Sequence, residues 1–170
     1  MVILFSKQKS KCEKELAKIL GKYGGNFISD KILNNMGEKF NIVSFYKKAD
    51  VSIEKGVAVF LDKNLRFKDQ KLPIGIVGIC EENDKTALEI FKKSHNSVIT
   101  CGINNKNTVT LSSISQDTLF ATLQRSVYDI NGNLLEPCEL KIKLTENFSP
   151  FSVICSVIIL LYHGIIPEEF

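Results

Sequence analysis

The sequence has few of the residues that usually carry metal or nucleophilic chemistry. It contains two histidines, His95 and His163, and its five cysteines include no Cys-x-x-Cys pair. The odd number of cysteines and the missing pairs argue against a disulfide framework and against a zinc cluster. We therefore expect reduced, mostly buried thiols, and neither a metal ion nor a cofactor.

The sequence also lacks the segments that direct a protein into a membrane. Its longest apolar run, near the carboxyl end, is shorter than the about 20 residues that a spanning helix needs. Met1 to Phe5 is apolar but has no basic leader and no small-residue cleavage site. We expect a cytoplasmic protein, and the 44% hydrophobic content of the 170 residues predicts a single α/β domain over 1–170.

The charge is distributed unevenly along the chain. Residues 1–71 hold 15 Lys and Arg against 8 Asp and Glu, whereas residues 72–170 hold 7 against 11, so the halves carry +7 and −4. The lysines of the first half are spread among apolar residues, and Arg66 is its one arginine. This pattern is typical of a solvated face, so we expect no nucleic-acid partner.

The segment from Pro73 to Leu111 organises the predicted fold. An apolar strand over 74–80 is followed by an acidic loop, an amphipathic helix from Lys85 to Lys93 and a strand from Ser97 to Cys101. Asn83 or Asp84 is suited to cap the helix. A right-handed βαβ crossover would pair the two strands in parallel and bring Cys80 and Cys101 to one carboxyl edge, where open α/β sheets bind ligands.

The other patterns predict a mixed, largely parallel sheet with flanking helices and a β-ribbon. The final helix, with Ser149 as cap and Pro150 at its first position, is apolar nearly all round and should be buried on the sheet. The remaining predicted elements, in order, are a strand at Val2 to Phe5, a helix at Ser10 to Tyr23, a strand at Phe27 to Ser29, helical turns at Asp30 to Met36, antiparallel or edge strands within Phe40 to Leu61, a strand at Thr108 to Ser112, and a ribbon of Leu119 to Tyr128 with Leu134 to Leu144 around Asn131-Gly132.

One glycine-rich segment, Gly21 to Gly25, invites comparison with a phosphate-binding loop. Such a loop places its glycines before a helix and a Ser or Thr after its Lys. Here the glycines follow the predicted helix, so Gly24 and Gly25 are better explained as its carboxyl-terminal cap.

The candidate site residues lie at the predicted carboxyl edge of the sheet. Cys80 could act as a nucleophile, but the neighbouring carboxylates would raise its pKa, which favours a structural role. The acidic loop could bind a divalent cation, although a solvated loop and helix cap explain it more simply. The candidate pocket comprises Cys80, Glu81, Glu82, Asn83, Asp84, Cys101, Asn104, Asn105 and Lys106.

Two further polar groups have alternative explanations. The Asn-rich loop after Cys101 could bind a sugar or a peptide, but asparagines are also common in tight turns. Gln124 and Arg125 lie in an apolar strand context, where Arg125 could contact a substrate. A structural ion pair with Glu136 or Glu139 is the better interpretation.

From about Gly75 onward, the order of elements resembles the latter part of the central domain of the Mur ligases, which are ATP-dependent enzymes of cell-wall synthesis. Their pattern is an Asn/Asp-rich loop, a helix, a strand of the type V-I-T-[FY]-G, a β-ribbon and an apolar helix ending in Leu-Gly-Ile. The matching pieces here are Glu82-Asn83-Asp84-Lys85-Thr86-Ala87-Leu88, Val98-Ile99-Thr100-Cys101-Gly102, Thr108-Val109-Thr110-Leu111-Ser112-Ser113 and Leu160-Leu161-Tyr162-His163-Gly164-Ile165-Ile166-Pro167.

The sequence departs from this family where the ligase chemistry resides. The resemblance implies a glycine-rich loop ending in Gly-Lys-Thr/Ser for the ATP phosphates, and no such string occurs here. Counterparts of the metal-binding Glu and His and of the carbamylated Lys are not identifiable, and the loop asparagine is at best displaced to Asn83. The resemblance therefore implies a ligase core without its catalytic residues.

Two function classes remain open from the sequence. The favoured one is a non-catalytic, Mur-ligase-like domain that binds a protein partner or a cell-wall precursor or related metabolite. The alternative is a small enzyme with chemistry at the Cys80/Asn104 edge. Self-association into a homo-oligomer stays open as well, whereas no membrane partner is expected.

Overall fold

The structure, a computed structural model, describes residues 1–30, 33–34, 37, 39–63, 65, 67, 69–115 and 117–170. Its helices are α1 (Lys11–Lys22), α2 (Lys85–Lys93) and α3 (Pro150–Tyr162). Its strands are β1 (Val2–Phe5), β2 (Gly25–Ile28), β3 (Leu33–Asn34), β4 (Phe40–Phe45), β5 (Val57–Phe60), β6 (Val77–Glu81), β7 (Ser97–Gly102), β8 (Val109–Ile114), β9 (Thr118–Leu123), β10 (Val127–Tyr128), β11 (Leu134–Leu135) and β12 (Cys138–Lys143).

Ten of the described strands form one sheet in the order β12-β9-β8-β7-β6-β5-β1-β4-β2-β3. The seven strands from β8 to β2 in that order pair in parallel, and the remaining three pair antiparallel with their neighbours. This arrangement confirms the predicted fold class, a mixed, largely parallel sheet with flanking helices.

Helices cover the sheet on both faces. The core that contains α1 and α3, which we call the first core, includes Leu16 of α1 and Ile158 of α3. The second core, on the opposite face, contains α2 with Phe91 and the segment between β5 and β6, with Phe67. Since neighbouring residues of a strand point to opposite faces, each central strand contributes to both cores.

The predicted βαβ unit is present as β6, α2 and β7. The two strands are parallel, with Glu81 opposite Cys101, and Asp84 Oδ1 accepts a hydrogen bond from Ala87 N at 3.1 Å, which caps α2. The first strand begins at Val77 and not at Ile74. Gly75 has a φ of +94°, a left-handed conformation that ends any extended run before it.

The middle of the amino-terminal half differs from the prediction. β4 and β5 are neither antiparallel nor edge strands, since each pairs in parallel with β1 from opposite sides. The predicted strand residues Val51 and Ile53 lie outside the strands and pack against the second core. Alternation of apolar residues has the same period in both strand orientations, so it could not distinguish them.

The helical turns predicted for 30–36 are wrong where the structure describes that segment. Leu33–Asn34 forms β3 and pairs antiparallel with β2. Residues 31, 32, 35 and 36 lie outside the described residues. The preceding helix ends as predicted, because Gly24 adopts a φ of +88° directly after the cap residue Tyr23.

The last helix and the ribbon have the predicted form. α3 is buried from Ser152 through Tyr162, and none of the described helices is both long and apolar enough to cross a membrane. β9 pairs antiparallel with β12, and β10 with β11, so a ribbon surrounds the turn at Gly132. Ser149 is the residue that precedes α3, but its hydroxyl bonds to Glu15 and Ser152 and does not cap the helix.

Candidate functional site

A cavity of about 260 Å³ lies at the carboxyl edge of β6 and β7, beneath the first turns of α3. We call it the sheet-edge cavity. Polar residues of the loop after β6 form one wall, and the β7 end and the following loop form another. The lining residues are Glu81, Glu82, Asn83, Cys101, Gly102, Ile103, Leu111, Pro150, Phe151 and Ile154. The parallel register brings both strand ends to this edge, where ligands of open α/β sheets bind.

A hydrogen bond between Glu82 and Asn107 supports the polar wall. Asn107 Nδ2 donates to Glu82 Oε2 at 2.8 Å and to the Asn104 carbonyl oxygen at 2.9 Å. These bonds fix the amide orientation, because a carboxylate and a carbonyl only accept. Asn107 is 1% exposed, and its Oδ1 has no hydrogen-bond partner among the described residues. Asn107 is not among the residues that line the cavity, so it supports the wall from behind and Glu82 faces the cavity.

Gly102 allows this contact at the end of β7. A Cβ at position 102 would lie 2.8 Å from Asn107 Nδ2 and 3.4 Å from Glu82 Oε1. The first distance is too short for a carbon atom beside an amide nitrogen. Any larger residue would therefore displace Asn107 from Glu82 and reshape the cavity wall.

The acidic residues at the end of β6 and in the loop after it have separate partners. Lys63 Nζ forms an ion pair with Glu81, and the hydrogen bond and charge of Glu81 raise the pKa of Lys63. Asp84 caps α2, and Glu82 accepts from Asn107. Within the described part of the chain, no three His, Cys, Asp or Glu side chains are grouped so that they could hold a metal ion.

Cys80 and Cys101 do not face each other across the site. Cys80 packs in the second core and Cys101 in the first, so only Cys101 lines the cavity. Burial raises the pKa of Cys80, and the charges of Cys101, Asp84 and Glu81 raise it further. Cys101 Sγ donates to the Cys80 carbonyl oxygen at 3.3 Å. Cys80 is therefore an unreactive core thiol at neutral pH.

The Asn-rich loop is built as a turn. Asn104 Oδ1 accepts from Lys106 N at 3.0 Å, and the Asn104 carbonyl oxygen accepts from Asn107 N at 3.0 Å. Asn104, Asn105 and Lys106 are exposed and do not line the cavity. Of the predicted pocket, the structure brings together Glu81, Glu82, Asn83 and Cys101. It leaves Cys80, Asp84 and the three loop residues outside the cavity lining.

The ion pair predicted for Arg125 is wrong. Arg125 is exposed, and the salt bridges found between described residues do not include it. Glu139 instead accepts a hydrogen bond from Thr122 Oγ1 at 3.3 Å. Gln124 Nε2 donates to Thr110 Oγ1 at 3.0 Å and thereby links β9 to β8. These polar residues support the ribbon and lie away from the cavity lining.

Both histidines lie far from the cavity. His95 is exposed just before β7, at the amino edge of that strand. His163 follows α3, a helix of 13 residues whose first turns touch the cavity. At 1.5 Å per residue, such a helix separates its ends by about 20 Å. Neither imidazole can therefore serve as a general base at the cavity.

Sequence reasoning missed several residues that form the site. Phe151 and Ile154 reach the cavity because α3 crosses over the strand ends, a tertiary relationship without a local sequence signal. Lys63 belongs to a charged loop that gave no indication of its partner Glu81. Asn107 belongs to the Asn-rich loop that was considered for binding a sugar or a peptide, but its burial and its bond to Glu82 were not predicted.

The sequence matches no protein-family model and no curated protein sequence. Among solved structures, the chain is similar to the UDP-N-acetylmuramate:L-alanyl-γ-D-glutamyl-meso-diaminopimelate ligase from Neisseria meningitides, with a TM-score of 0.57 and 10% sequence identity. The match covers 99% of this chain, so it extends beyond the residues after Gly75, and this chain spans 62% of the ligase chain. The likeness shows that this chain has a Mur-ligase-like α/β fold.

Proposed function

We propose that this chain is a non-catalytic domain of Mur-ligase-like fold that binds a ligand in the sheet-edge cavity. The ligand class we propose is a cell-wall precursor or a related metabolite, and the site would admit the end of a protein partner in the same way. The observation that carries this proposal is the combination of a half-buried carboxylate at Glu82, held by Asn107, with an apolar wall from α3. Such a mixture is typical of small-molecule sites.

The size of the cavity limits how much of a ligand it encloses. Its 260 Å³ lies just below the range of about 300–1,000 Å³ that encloses a drug-sized molecule. A nucleotide-linked cell-wall precursor is larger than that. We therefore propose that the cavity holds one end of its ligand, while the rest lies along the carboxyl edge of the sheet.

Several observations favour binding over catalysis. The one lining residue with a nucleophilic side chain is Cys101, which is fully buried and bonded to the Cys80 carbonyl oxygen. No histidine is close enough to act as its base. The alternative, an enzyme with chemistry at Cys80 and Asn104, is disfavoured because the first is a core thiol and the second supports an exposed turn.

A thermal-shift screen tests the binding proposal. We expect the peptide L-alanyl-γ-D-glutamyl-meso-diaminopimelate to raise the melting temperature of the wild-type chain, and to raise it more than UDP-N-acetylmuramate does. Phe151→Ala should reduce that rise, whereas Ile166→Ala, at an exposed position away from the cavity lining, should not. If neither compound raises the melting temperature, or if both variants respond like the wild type, the proposed ligand class and site are wrong.

Thiol titration tests the enzyme alternative. Cys138 is exposed, whereas Cys80, Cys101 and Cys155 are buried. We expect Cys138 to react first with an aromatic disulfide reagent, and the buried thiols to react at the rate of unfolding. Fast, selective modification of Cys80 in a Cys138→Ser variant would instead identify a reactive nucleophile and overturn the non-catalytic proposal.

A further inference from the structure

We infer that the ligand group held by the sheet-edge cavity is a primary ammonium carried on a short apolar chain. This inference rests on the proposed function, since it names the chemical class bound at the same cavity. It follows from three features of the site, namely the free carboxylate oxygen of Glu82, the local charge and the apolar lining.

The acceptor comes from Glu82, which Asn107 holds in place. Glu82 uses Oε2 to accept from Asn107 Nδ2 at 2.8 Å, and no hydrogen bond from a described residue reaches its Oε1. Asn107 Oδ1 also has no partner among the described residues, but Asn107 is buried outside the cavity lining, so Glu82 Oε1 is the oxygen that a ligand can reach. An ammonium has three N–H donors and no acceptor, so it matches a carboxylate oxygen better than a hydroxyl does.

The local charge favours a cation. Lys63 forms an ion pair with Glu81 and also interacts at longer range with Asp84 and Glu82, so three carboxylates share one cation, and the salt bridges between described residues do not include Glu82. The lining contains no Lys, Arg or His side chain. A carboxylate that is bonded only to a neutral amide in a partly enclosed site attracts a positive group strongly.

An anionic ligand group is disfavoured at the other end of the cavity as well. The amino terminus of α3 would ordinarily attract an anion. Here the carboxylate of Glu15 already lies there, because Glu15 Oε2 accepts from Ser149 N at 3.0 Å. A second carboxylate or a phosphate would be repelled by Glu15 and by Glu82.

The apolar lining distinguishes an alkylammonium from water or a bare metal ion. Leu111, Phe151 and Ile154 line the cavity together with Glu82, and Ile103, another lining residue, is 84% exposed. A ligand with a short hydrocarbon chain would cover Ile103 and bury its own apolar surface. Water and metal ions would satisfy the Glu82 oxygen but leave Ile103 exposed.

Titrations with matched six-carbon probes test the inference. Hexylamine, hexanol and hexanoate share a chain and differ in the charge of the end group. By amide NMR titration at pH 7, where an alkylamine is protonated, we expect hexylamine to bind about tenfold more tightly than the other two. Glu82→Gln should abolish that preference while it preserves the Asn107 bond, since a glutamine oxygen still accepts from an amide.

Two further variants distinguish recognition of the ammonium charge from binding of the hydrocarbon chain. Glu139→Gln makes the same charge change at an exposed position of β12 and should leave the preference intact. Phe151→Ala should weaken hexylamine and hexanol alike, because it removes an apolar contact. If the amine and the alcohol bind equally and both depend on Phe151, the cavity binds ligands but the ammonium inference is wrong. If none of the probes binds, the ammonium inference is also wrong. The proposed function is tested separately, and it fails if the cell-wall compounds give no thermal shift.

Discussion

Glu15 of α1 accepts two hydrogen bonds from Ser149, which precedes α3 by one residue, although the two positions are 134 residues apart. The backbone N–H of Ser149 donates at 3.0 Å and its hydroxyl at 2.5 Å. Burial by itself would raise the pKa of Glu15, but the bonds from Ser149 and Ser152 and the charge of Lys11 lower it below its ordinary value. This carboxylate therefore joins the two helices of the first core.

Glu15→Ala should destabilise the protein by about 1–3 kcal/mol, because it leaves the Ser149 donors without their acceptor. Urea denaturation at pH 7 measures this change. The exposed pair of Glu146 with Lys18 provides the control, and Glu146→Ala should cost less than about 1 kcal/mol. Since the folded pKa of Glu15 is lowered, its contribution is present above pH 4.5 and disappears as the pH falls through the folded value. Equal losses in the two variants would contradict this prediction.

Ile158→Asp should destabilise the protein by about 3 kcal/mol or more, because it places an unpaired charge in the first core. Ile158 is 3% exposed and borders a small apolar cavity with Ile99 and Leu161. Ile166, which is 69% exposed, is the matched control, and Ile166→Asp should change the stability little. An unchanged melting temperature for Ile158→Asp would mean that α3 is exposed in solution.

Stability should decrease as the pH falls below about 6.5, and His163 should cause part of that decrease. Burial lowers the pKa of His163. The hydrogen bond to the Ile159 carbonyl oxygen raises it in part, and the positive charge of the nearby amino terminus lowers it again. Its Nε2 has no partner among the described residues, and its ring stacks on Phe40 at 4.6 Å. Because the folded pKa is below the unfolded value, the unfolded state binds the proton preferentially at lower pH.

The measurement is the urea midpoint of wild type and His163→Gln between pH 5 and pH 8. The variant should show a smaller decrease toward pH 5 than the wild type. His95→Gln, at an exposed position, should follow the wild-type profile. A His163→Gln profile parallel to that of the wild type would show that this imidazole does not contribute.

Mg-ATP should be neither tightly bound nor hydrolysed. The loop between β1 and α1 lies where a phosphate loop would lie, but it places Lys9 in the left-handed conformation, with a φ of 63°, and contains no glycine. The Asp62 carboxylate accepts from Lys7 N at 2.8 Å and so takes up an amide that would otherwise face a phosphate. Glu81 and Glu82 add negative charge at the same edge.

Isothermal titration with Mg-ATP tests this prediction, with the Glu81→Gln/Glu82→Gln double variant beside the wild type. We expect no micromolar binding by either protein. Micromolar binding by the wild type that the double variant loses would mean that the carboxylates hold the metal ion of a bound nucleotide. Binding by both proteins would instead indicate that the β1–α1 loop holds phosphates without glycine.

The sequence predicted those helices and strands that are specified by residues close together in the chain. The βαβ unit from Val77 to Gly102 and the apolar α3 are specified by periodicity and capping within short windows. The positions of β4 and β5 beside β1 were not predictable in this way. Their pairing depends on contacts across about 40 to 55 residues, as in Val2 with Ile42 and with Val57.

Only part of the candidate site was predicted, because its geometry also depends on how the strands pair. The predicted strands ended at Cys80 and Cys101, which placed both thiols at one carboxyl edge and made both candidates for the same pocket. In the structure the register pairs Glu81 with Cys101, so Cys80 lies one residue away and points to the opposite face. A shift of one residue reverses the face of every side chain, and the sequence contains no signal that sets this register.

The contact of the last residues with β12 has a consequence for aggregation. The Lys143 amide donates to the Glu168 carbonyl oxygen at 2.9 Å, and Phe170 N donates to the Lys143 carbonyl oxygen at 2.8 Å. An uncovered edge strand offers free backbone groups to strands of other molecules. These bonds close one end of β12, and the charges of Glu139 and Lys141 discourage foreign strands along the rest. The backbone of this boundary strand is therefore only partly available to strands of other molecules.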